Sequence, residues 1–498
     1  MMMERLWFVI PELVLFVGVV GVAILGLVRS NRVRGLVPWV TGGFVIAAGI
    51  VTPFIFTSDA TAKSGLLLPD MGQPITLVAC IIALALLVMS VGRVDRGYER
   101  AVAEGRTSFD PIRTTRGEYH VFFLLSLAGL LLVPIANDLI WLFLALELAS
   151  LPTYVMVAMS RGSLKAQEAA MKYFFLGAMS AAMFLYGFAM LYGATGTVVL
   201  TEMHQVFADQ AAHGGISTIG IVGMLLALLG IGFKLAAAPM HLYAADVYEG
   251  ASVHVTAFLG FVPKVAGAVA FMLLLSTLGW ADGTTLPTPV LILLWVMSVL
   301  TMTLGNIAAL LQKSVKRMLA CSSIAHSGYL LIGIIAGPGL GFNAVILYLF
   351  IYGIGNTASF AVLAALERGG HEIESVEDLA GLRLRHPMMA SALAVSAGSL
   401  LGFPPLLGFW GKLGIFVAGV ATNHLPLVII AAVNSAISAW YYLRLVGLPL
   451  MSDPNERSET VERFPVPWAR LTAIILAIAL IVLPIFLASI RSLTLIGD

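Results

Sequence analysis

The sequence predicts an all-α membrane protein of about fourteen transmembrane helices, built as two inverted five-helix repeats that each contain a discontinuous helix. Three observations lead there. Of 498 residues, 59% are hydrophobic and 11% charged, with a mean hydropathy of +0.97, more apolar surface than a water-soluble core can enclose. Apolar runs of roughly 20 residues, the length that crosses a ~30 Å hydrocarbon layer, follow one another from Trp7 to near Ile490. Prolines interrupt two of these runs, five spans apart.

The runs centre near Val17, Val45, Ala83, Leu127, Ala149, Met183, Leu228, Val265, Val299, Gly328, Gly353, Gly402, Ala436 and Ile478. The first follows only Arg5 and lacks a small-residue cleavage site, so a retained helix is expected rather than a removed signal peptide. The chain divides into four parts: residues 1–116, with three spans and a basic loop; 117–280, with spans four to eight; 281–447, with spans nine to thirteen; and 448–498, with a loop and the last span.

Charge placement sets the topology. Alternate loops hold Arg29, Arg32 and Arg34; Arg93, Arg96, Arg100, Arg106, Arg113 and Arg116; Arg161, Lys165 and Lys172; Lys313, Lys316 and Arg317; Arg368, Arg383 and Arg385; and Arg444, Arg457, Arg463 and Arg470. The intervening loops and termini hold only Arg5, Lys63 and Arg491. Positive loops stay in the cytoplasm, so both termini are expected on the opposite, periplasmic side, which requires an even number of spans. A count of twelve breaks the alternation.

The remaining basic residues, Lys234, Lys264 and Lys412, fall deep inside the seventh, eighth and twelfth runs. A charge there costs at least ~2.5 to 3.5 kcal/mol, and such a cost usually signals use. Among the acids only Glu147 sits as deep; Glu12, Asp138 and Glu168 lie near span ends, within reach of the interface or a loop. One isolated pair reads equally well as static glue. Three lysines with one glutamate point instead to a proton or ion path.

Helix breaks accompany these charges. Lys234 precedes Pro239, and Lys412 follows Pro404 and Pro405. Broken helices are tolerated at membrane depth where protein or water satisfies the freed carbonyls, and an odd number of spans per unit makes the second copy inverted. His326 lies in the tenth span, the counterpart of the Glu147 span; a proton relay and a hydrogen-bonded core histidine are both open readings. His241 and His254 flank Asp246 and Glu249 on the basic-loop side, where loop packing or proton entry is expected rather than metal ligation. The run Glu372, Glu374, Glu377, Asp378 is expected to open a short amphipathic helix in a solvated loop.

Cys80 and Cys321 are too few for a four-cysteine iron–sulfur cluster, have no zinc spacing and read as packing residues. Gly337-Pro-Gly-Leu-Gly341 reads as a tight inter-span loop, and no phosphate loop of nucleotide-binding type is present. No cofactor and no metal is expected on this chain.

Several segments resemble one family. They are Leu-Glu-Leu-Ala-Ser-Leu-Pro-Thr-Tyr at 146 to 154, Ala-Ala-Met-Lys-Tyr-Phe-Phe-Leu-Gly-Ala at 169 to 178, Gly-Phe-Lys at 232 to 234, Asp-Val-Tyr-Glu-Gly-Ala at 246 to 251, Lys-Arg-Met-Leu-Ala-Cys-Ser-Ser-Ile-Ala-His at 316 to 326, and the Pro-Pro…Gly-Lys element at 404 to 412. In this order, over about two thirds of the chain, they resemble the antiporter-like subunit N of NADH:quinone oxidoreductase, respiratory complex I. The resemblance implies the fourteen-helix fold and places the key acid on Glu147 and the key lysines on Lys234, Lys264 and Lys412. It also marks Lys172, for which snorkelling from the helix edge is the alternative. The usual His-x-Trp-x-Pro-Asp-Val-Tyr pattern reads His241-Leu-Tyr-Ala-Ala-Asp-Val-Tyr here, and Pro263 precedes Lys264 where Ser is common.

The implied function is proton translocation through the Glu147, Lys234, Lys264 and Lys412 path. FMN, iron–sulfur clusters, NADH and quinone belong to other subunits of that complex. The implied partners are subunit M and small quinone-side membrane subunits, in a bacterial inner membrane. The alternatives are a subunit of a cation/proton antiporter or membrane hydrogenase, or a free-standing secondary transporter; the Asp-Val-Tyr-Glu-Gly element favours subunit N. A carboxylate ~4 Å from a lysine favours its charged form by ~4 kcal/mol at an effective dielectric of ~20, so Glu147 is expected to load or empty Lys234 by approach and withdrawal.

Overall fold

The computed structural model describes residues 7–28, 30–92, 102, 104–106, 117–160, 164–279, 286–368, 371–463 and 467–491. Arg5, Arg29, Arg93, Arg96, Arg100, Arg113, Arg116 and Arg161, counted above by charge, lie outside the described residues.

Prolines start many of the helices. Pro11, Pro38, Pro263, Pro289, Pro387 and Pro426 occupy the first or second helical position, where the missing N–H has no intrahelical partner to lose. The spans they help to delimit number fourteen among the described residues. Ile10–Leu27, Val37–Ile55 and Gly72–Ser90 come first. Gly117–Leu132, Leu139–Ser160, Leu164–Thr195, Thr218–Leu235 and the pair Val253–Leu259 with Val262–Thr277 form spans four to eight. Thr288–Leu310, Val315–Ala336, Leu340–Ala364, the pair Pro387–Leu401 with Leu407–Ala421, and Leu425–Met451 form spans nine to thirteen, and Pro467–Arg491 is the fourteenth. An integral membrane protein of the predicted helical class results.

The helices are not equally buried. The eighth and tenth are enclosed along their whole length and the eleventh nearly so, whereas the first, second and fourteenth turn most of their surface outward. The bundle centre is therefore built from the helices that carry Lys264 and His326. Without a hydrophobic drive between helices in lipid, small residues and polar contacts set the packing. Ser126 donates to the Ala149 carbonyl at 2.5 Å, tying the fourth helix to the fifth, and Ser298 donates to the Gly328 carbonyl at 2.8 Å, tying the ninth to the tenth.

At one end the loops interlock. Lys165 pairs with Glu249 at 2.8 Å, Arg317 reaches Asp246 at 3.2 Å and Glu249 at 2.9 Å, and the Val376 N–H donates to the Lys313 carbonyl. The loops after the fifth, seventh and ninth helices thus meet the loop after the eleventh. Leu366–Arg368, His371–Glu372 and Val461–Arg463 form a small antiparallel sheet with the first of these in the middle, which adds the loop after the thirteenth. At the opposite end the Leu139 N–H donates to the Val198 carbonyl and Leu200 N–H to Asn137. An amphipathic helix, Leu200–Ala212, lies at that end with Leu200, Met203 and Phe207 buried.

Four expectations change. The acidic run at 372 to 378 does not open an amphipathic helix: Glu372 is in a strand, and Ser375 with Asp378 forms a capping box on the single turn Val376–Leu379. Strands this short carry no legible alternation. Glu12 does not reach the interface; it is 1% exposed, on the inward face of the first helix. The eighth span is interrupted at Gly260 and Phe261, a third break besides those in the seventh and twelfth. Lys316 is no solvated loop residue: it is fully buried, donating to the Ala251 carbonyl at 2.8 Å and to Glu372 Oε2 at 3.2 Å.

Candidate functional site

Lys234 stands in the last turn of Thr218–Leu235, 3% exposed. Its Nζ lies 3.1 Å from Glu147 Oε1 and donates to Ser150 Oγ at 2.6 Å. The helix stops because Ala236 adopts a left-handed conformation, with the Ala237 N–H bonded back to the Gly232 carbonyl at 2.8 Å. Thr301 accepts the next N–H, from Ala238, at 2.8 Å, and the Tyr243 hydroxyl caps the Phe233 carbonyl at 2.8 Å. A cation in a last helical turn is favoured by the unsatisfied carbonyls there. Glu147 sits at an outer wall: its helix neighbours Leu144 and Leu151 are exposed, while its own side chain is 16% exposed.

Lys264 lies in the first turn of Val262–Thr277 and is equally buried. Its Nζ donates to the Ser323 carbonyl and, at 2.8 Å, to Ser323 Oγ, and it stands 5.0 Å from the centre of the Tyr352 ring. The Tyr352 hydroxyl donates to the same Ser323 Oγ at 2.8 Å. Ser327, one turn on, donates to the Leu235 carbonyl at 2.5 Å, so the end of the seventh helix is fastened to the helix that receives Lys264. Among the described residues no carboxylate pairs with Lys264. Its surroundings are dipoles and a π face, which can hold a cation without fixing it there.

His326 and Lys412 share a cavity. His326, Tyr348, Tyr352, Ser399, Gly408 and Lys412 line it, and its space for a water centre is about 10 Å³. That is about the room one water needs, and the walls offer it several polar partners. Lys412, in the second half of the broken twelfth helix, donates to the Leu401 carbonyl at 2.7 Å and to Ser435 Oγ at 3.0 Å. It thereby crosses the break and caps the first half-helix. Gly402 makes this reach feasible: its φ is +87°, and a Cβ there would come within 2.9 Å of Lys412 Cδ. Gly402→Ala is expected to displace the Lys412 side chain and slow proton transfer per assembled complex, the amount of complex being measured separately because the left-handed backbone strains an alanine there. Unchanged transfer would remove the close approach from the account.

The structure thus brings Glu147 and Lys234 into contact, and joins Lys264 to the His326 and Lys412 cavity through Ser323 and Tyr352. Two sequence candidates stand outside this line. Lys172 is at the surface, paired with Glu168 at 2.8 Å and Asp246 at 2.7 Å, in the network that also holds Lys165, Glu249 and Arg317. His241 lies in the break after Lys234, partly buried, and its Nδ1 has no hydrogen-bond partner among the described residues. Ser150, Ser323, Tyr348 and Tyr352 join the site although none is a rare charge in an apolar run. Helical spacing is their signal: Ser150 is three after Glu147, Ser323 is three before His326, and Tyr348 and Tyr352 are four apart on one face.

Residues 136–438 match the family model of the NADH:quinone oxidoreductase/Mrp antiporter transmembrane region. The chain is 36% identical to NADH-quinone oxidoreductase subunit N of Rhodospirillum rubrum, with 90% of this chain and 88% of that protein covered. It is 34% identical to the subunit N of Paramagnetospirillum magneticum, over 96% and 93%. Among solved structures it is similar to a chain of respiratory complex I from Thermus thermophilus with bound aureothin, at 29% identity and a TM-score of 0.76, covering 97% of this chain and 98% of that one.

Proposed function

Because the chain belongs to the NADH-quinone oxidoreductase subunit N family, and so to a proton-translocating enzyme complex, we propose that it carries protons along Glu147, Lys234, Lys264, His326 and Lys412. The observation that carries this reading is the uneven pairing of the buried lysines. Of the three lysines deep in the spans, Lys234 alone has a carboxylate partner among the described residues, while Lys264 and Lys412 are held by hydroxyls, carbonyls and aromatic faces; Lys316, the buried lysine at the basic-loop end, pairs with Glu372. Static glue would call for each buried cation to have its own anion. A transferable proton calls instead for partners that tolerate both the loaded and the empty amine.

Glu147 is the control element in this reading. Held near Lys234 it favours the loaded lysine; drawn away, toward the outer wall on which it sits, it releases the proton into the bundle. Ser323 and Tyr352 then lead from Lys264 to the cavity that His326 and Lys412 share, the Tyr352 ring lying 5.0 Å from that of His326. Water completes the gaps, admitted where the helices are broken at residues 236–243, 260–261 and 402–406. Lys172 serves to hold Asp246 and the short helix Ala244–Gly250 beside the path, and His241 lies near its entry.

NADH oxidation and quinone reduction, with the FMN and iron–sulfur groups they need, fall to other subunits, and this chain holds no cofactor. Its neighbours are subunit M and the small quinone-side membrane subunits. The membrane is the bacterial inner membrane, with the interlocked basic loops cytoplasmic and both termini periplasmic. The two inverted units gain support from a matched detail. Glu147 lies two residues before the carbonyl that accepts Ser126, and His326 two residues before the carbonyl that accepts Ser298.

Co-purification tests the assignment to a redox complex. Mild extraction with a tag on this chain is expected to bring flavin-bearing and iron–sulfur subunits with it. A chain that comes out alone, from membranes active in NADH:quinone reduction, would favour a free-standing transporter.

A further inference from the structure

His326 is held at both ring nitrogens. Nδ1 lies 2.5 Å from the Tyr348 hydroxyl and Nε2 lies 2.9 Å from the Tyr442 hydroxyl. The Tyr442 hydroxyl also meets Ser322 Oγ, one turn before His326 on the same helix. All four side chains are at least nine-tenths buried, so solvent does not randomise their hydroxyl directions.

A neutral imidazole has one N–H and one lone pair, so the two tyrosines must play opposite parts. When Tyr442 gives its proton to Ser322, it accepts from Nε2–H, and Nδ1 is left to accept from Tyr348. When Tyr442 donates to Nε2, the ring proton sits on Nδ1 and is offered to Tyr348. The two sides lead to different places. Tyr348 lines the cavity beside Lys412. Tyr442 belongs to the thirteenth helix, two residues before Arg444, whose guanidinium reaches the Gln312 carbonyl at 3.3 Å at the basic-loop end.

We propose that Tyr442, backed by Ser322, is a positioning residue that decides which ring nitrogen of His326 carries the proton, and hence whether His326 accepts from or offers to the Tyr348 and Lys412 side. The proposal rests on His326 acting as the relay between Lys264 and Lys412. In each reversal the ring takes one proton at Nδ1 from the Tyr348 hydroxyl, which is refilled from the Lys412 side, and gives one up at Nε2 to the Tyr442 oxygen, whose own hydroxyl proton passes to Ser322 and on toward the basic-loop end, so that the imidazole stays neutral and one proton crosses it.

The test is a cycle of variants in the assembled complex, reconstituted into vesicles and normalised to complex content on native gels. Tyr442→Phe is expected to slow coupled proton transfer about threefold to tenfold, the worth of one buried hydrogen bond, and to raise the solvent deuterium isotope effect. Ser322→Ala should move both readouts the same way by less. In a His326→Gln background, Tyr442→Phe should change nothing further, because its only route of action is gone. Equal effects of Tyr442→Phe in the two backgrounds would overturn the proposal by reducing Tyr442 to packing. A His326→Gln complex with normal coupling would overturn both the relay and this proposal, whereas variants of Lys234 report on the path independently of either.

Discussion

In an assembled complex carrying Lys234→Ala, proton translocation and the quinone reduction coupled to it are expected to fall on the order of 10²-fold, the low end of what a positioned proton-transfer group contributes. Glu147→Ala is expected to impair both as well, because it removes the anion 3.1 Å from Lys234 Nζ. The two losses should not add: once Lys234 is gone, Glu147 has nothing to load, so the double variant should resemble the worse single one. Assembly is measured first, since removing one partner of a buried pair can cost ~3 to 5 kcal/mol. Glu147 is partly exposed and Ser150 remains as a second partner of Lys234, so the loss here is expected toward the low end. An additive double variant would separate the two residues into different roles.

Lys264→Ala is expected to have a comparable effect on proton transfer with a different effect on stability. Lys264 has no carboxylate partner among the described residues, and its removal strands no buried anion. Ser323 keeps Tyr352 as a donor after the amine is gone. The variant should therefore assemble at near wild-type level while coupled quinone reduction, followed in inside-out vesicles with NADH, drops at least about tenfold. Loss of assembly equal to or greater than that of Lys234→Ala, or full coupling in the assembled variant, would go against the assigned role.

Much of the fold was legible because a membrane span is a compositional fact. Fourteen apolar runs and alternating basic loops needed no contact information, and three lysines stood out as charges in apolar surroundings. The breaks at Pro239 and at Pro404 and Pro405 were visible because proline removes a donor. The break at Gly260 and Phe261 was not, although Pro263 marks a helix start just beyond it, because proline at a first turn and proline inside a helix look alike when the helix boundary is unknown. Lys316 was misplaced because charge alone assigns every loop-side lysine to water. Its partners, Ala251 and Glu372, lie 65 and 56 residues away.

The site was less legible than the fold for the same reason. Glu147 and Lys234 could be paired in thought because each was a rare buried charge. Tyr348, Tyr352 and Tyr442 are ordinary residues in aromatic-rich helices; the four-residue spacing puts Tyr348 and Tyr352 on one face, but nothing in these segments says that His326 or Ser323 lies opposite. Glu12 followed Pro11 at a helix start, where an acid usually serves the exposed N–H groups, and only packing turns it inward.

The central claim, that a proton leaves and returns to Lys234 in each cycle, is tested most directly by the proton-to-electron ratio of an assembled Lys234→Arg complex. Arginine keeps the positive charge and can still face Glu147, but it does not give up its proton. A ratio well below that of the wild type is expected, together with slowed quinone reduction. A fully assembled Lys234→Arg complex that translocates the normal number of protons per NADH would contradict it.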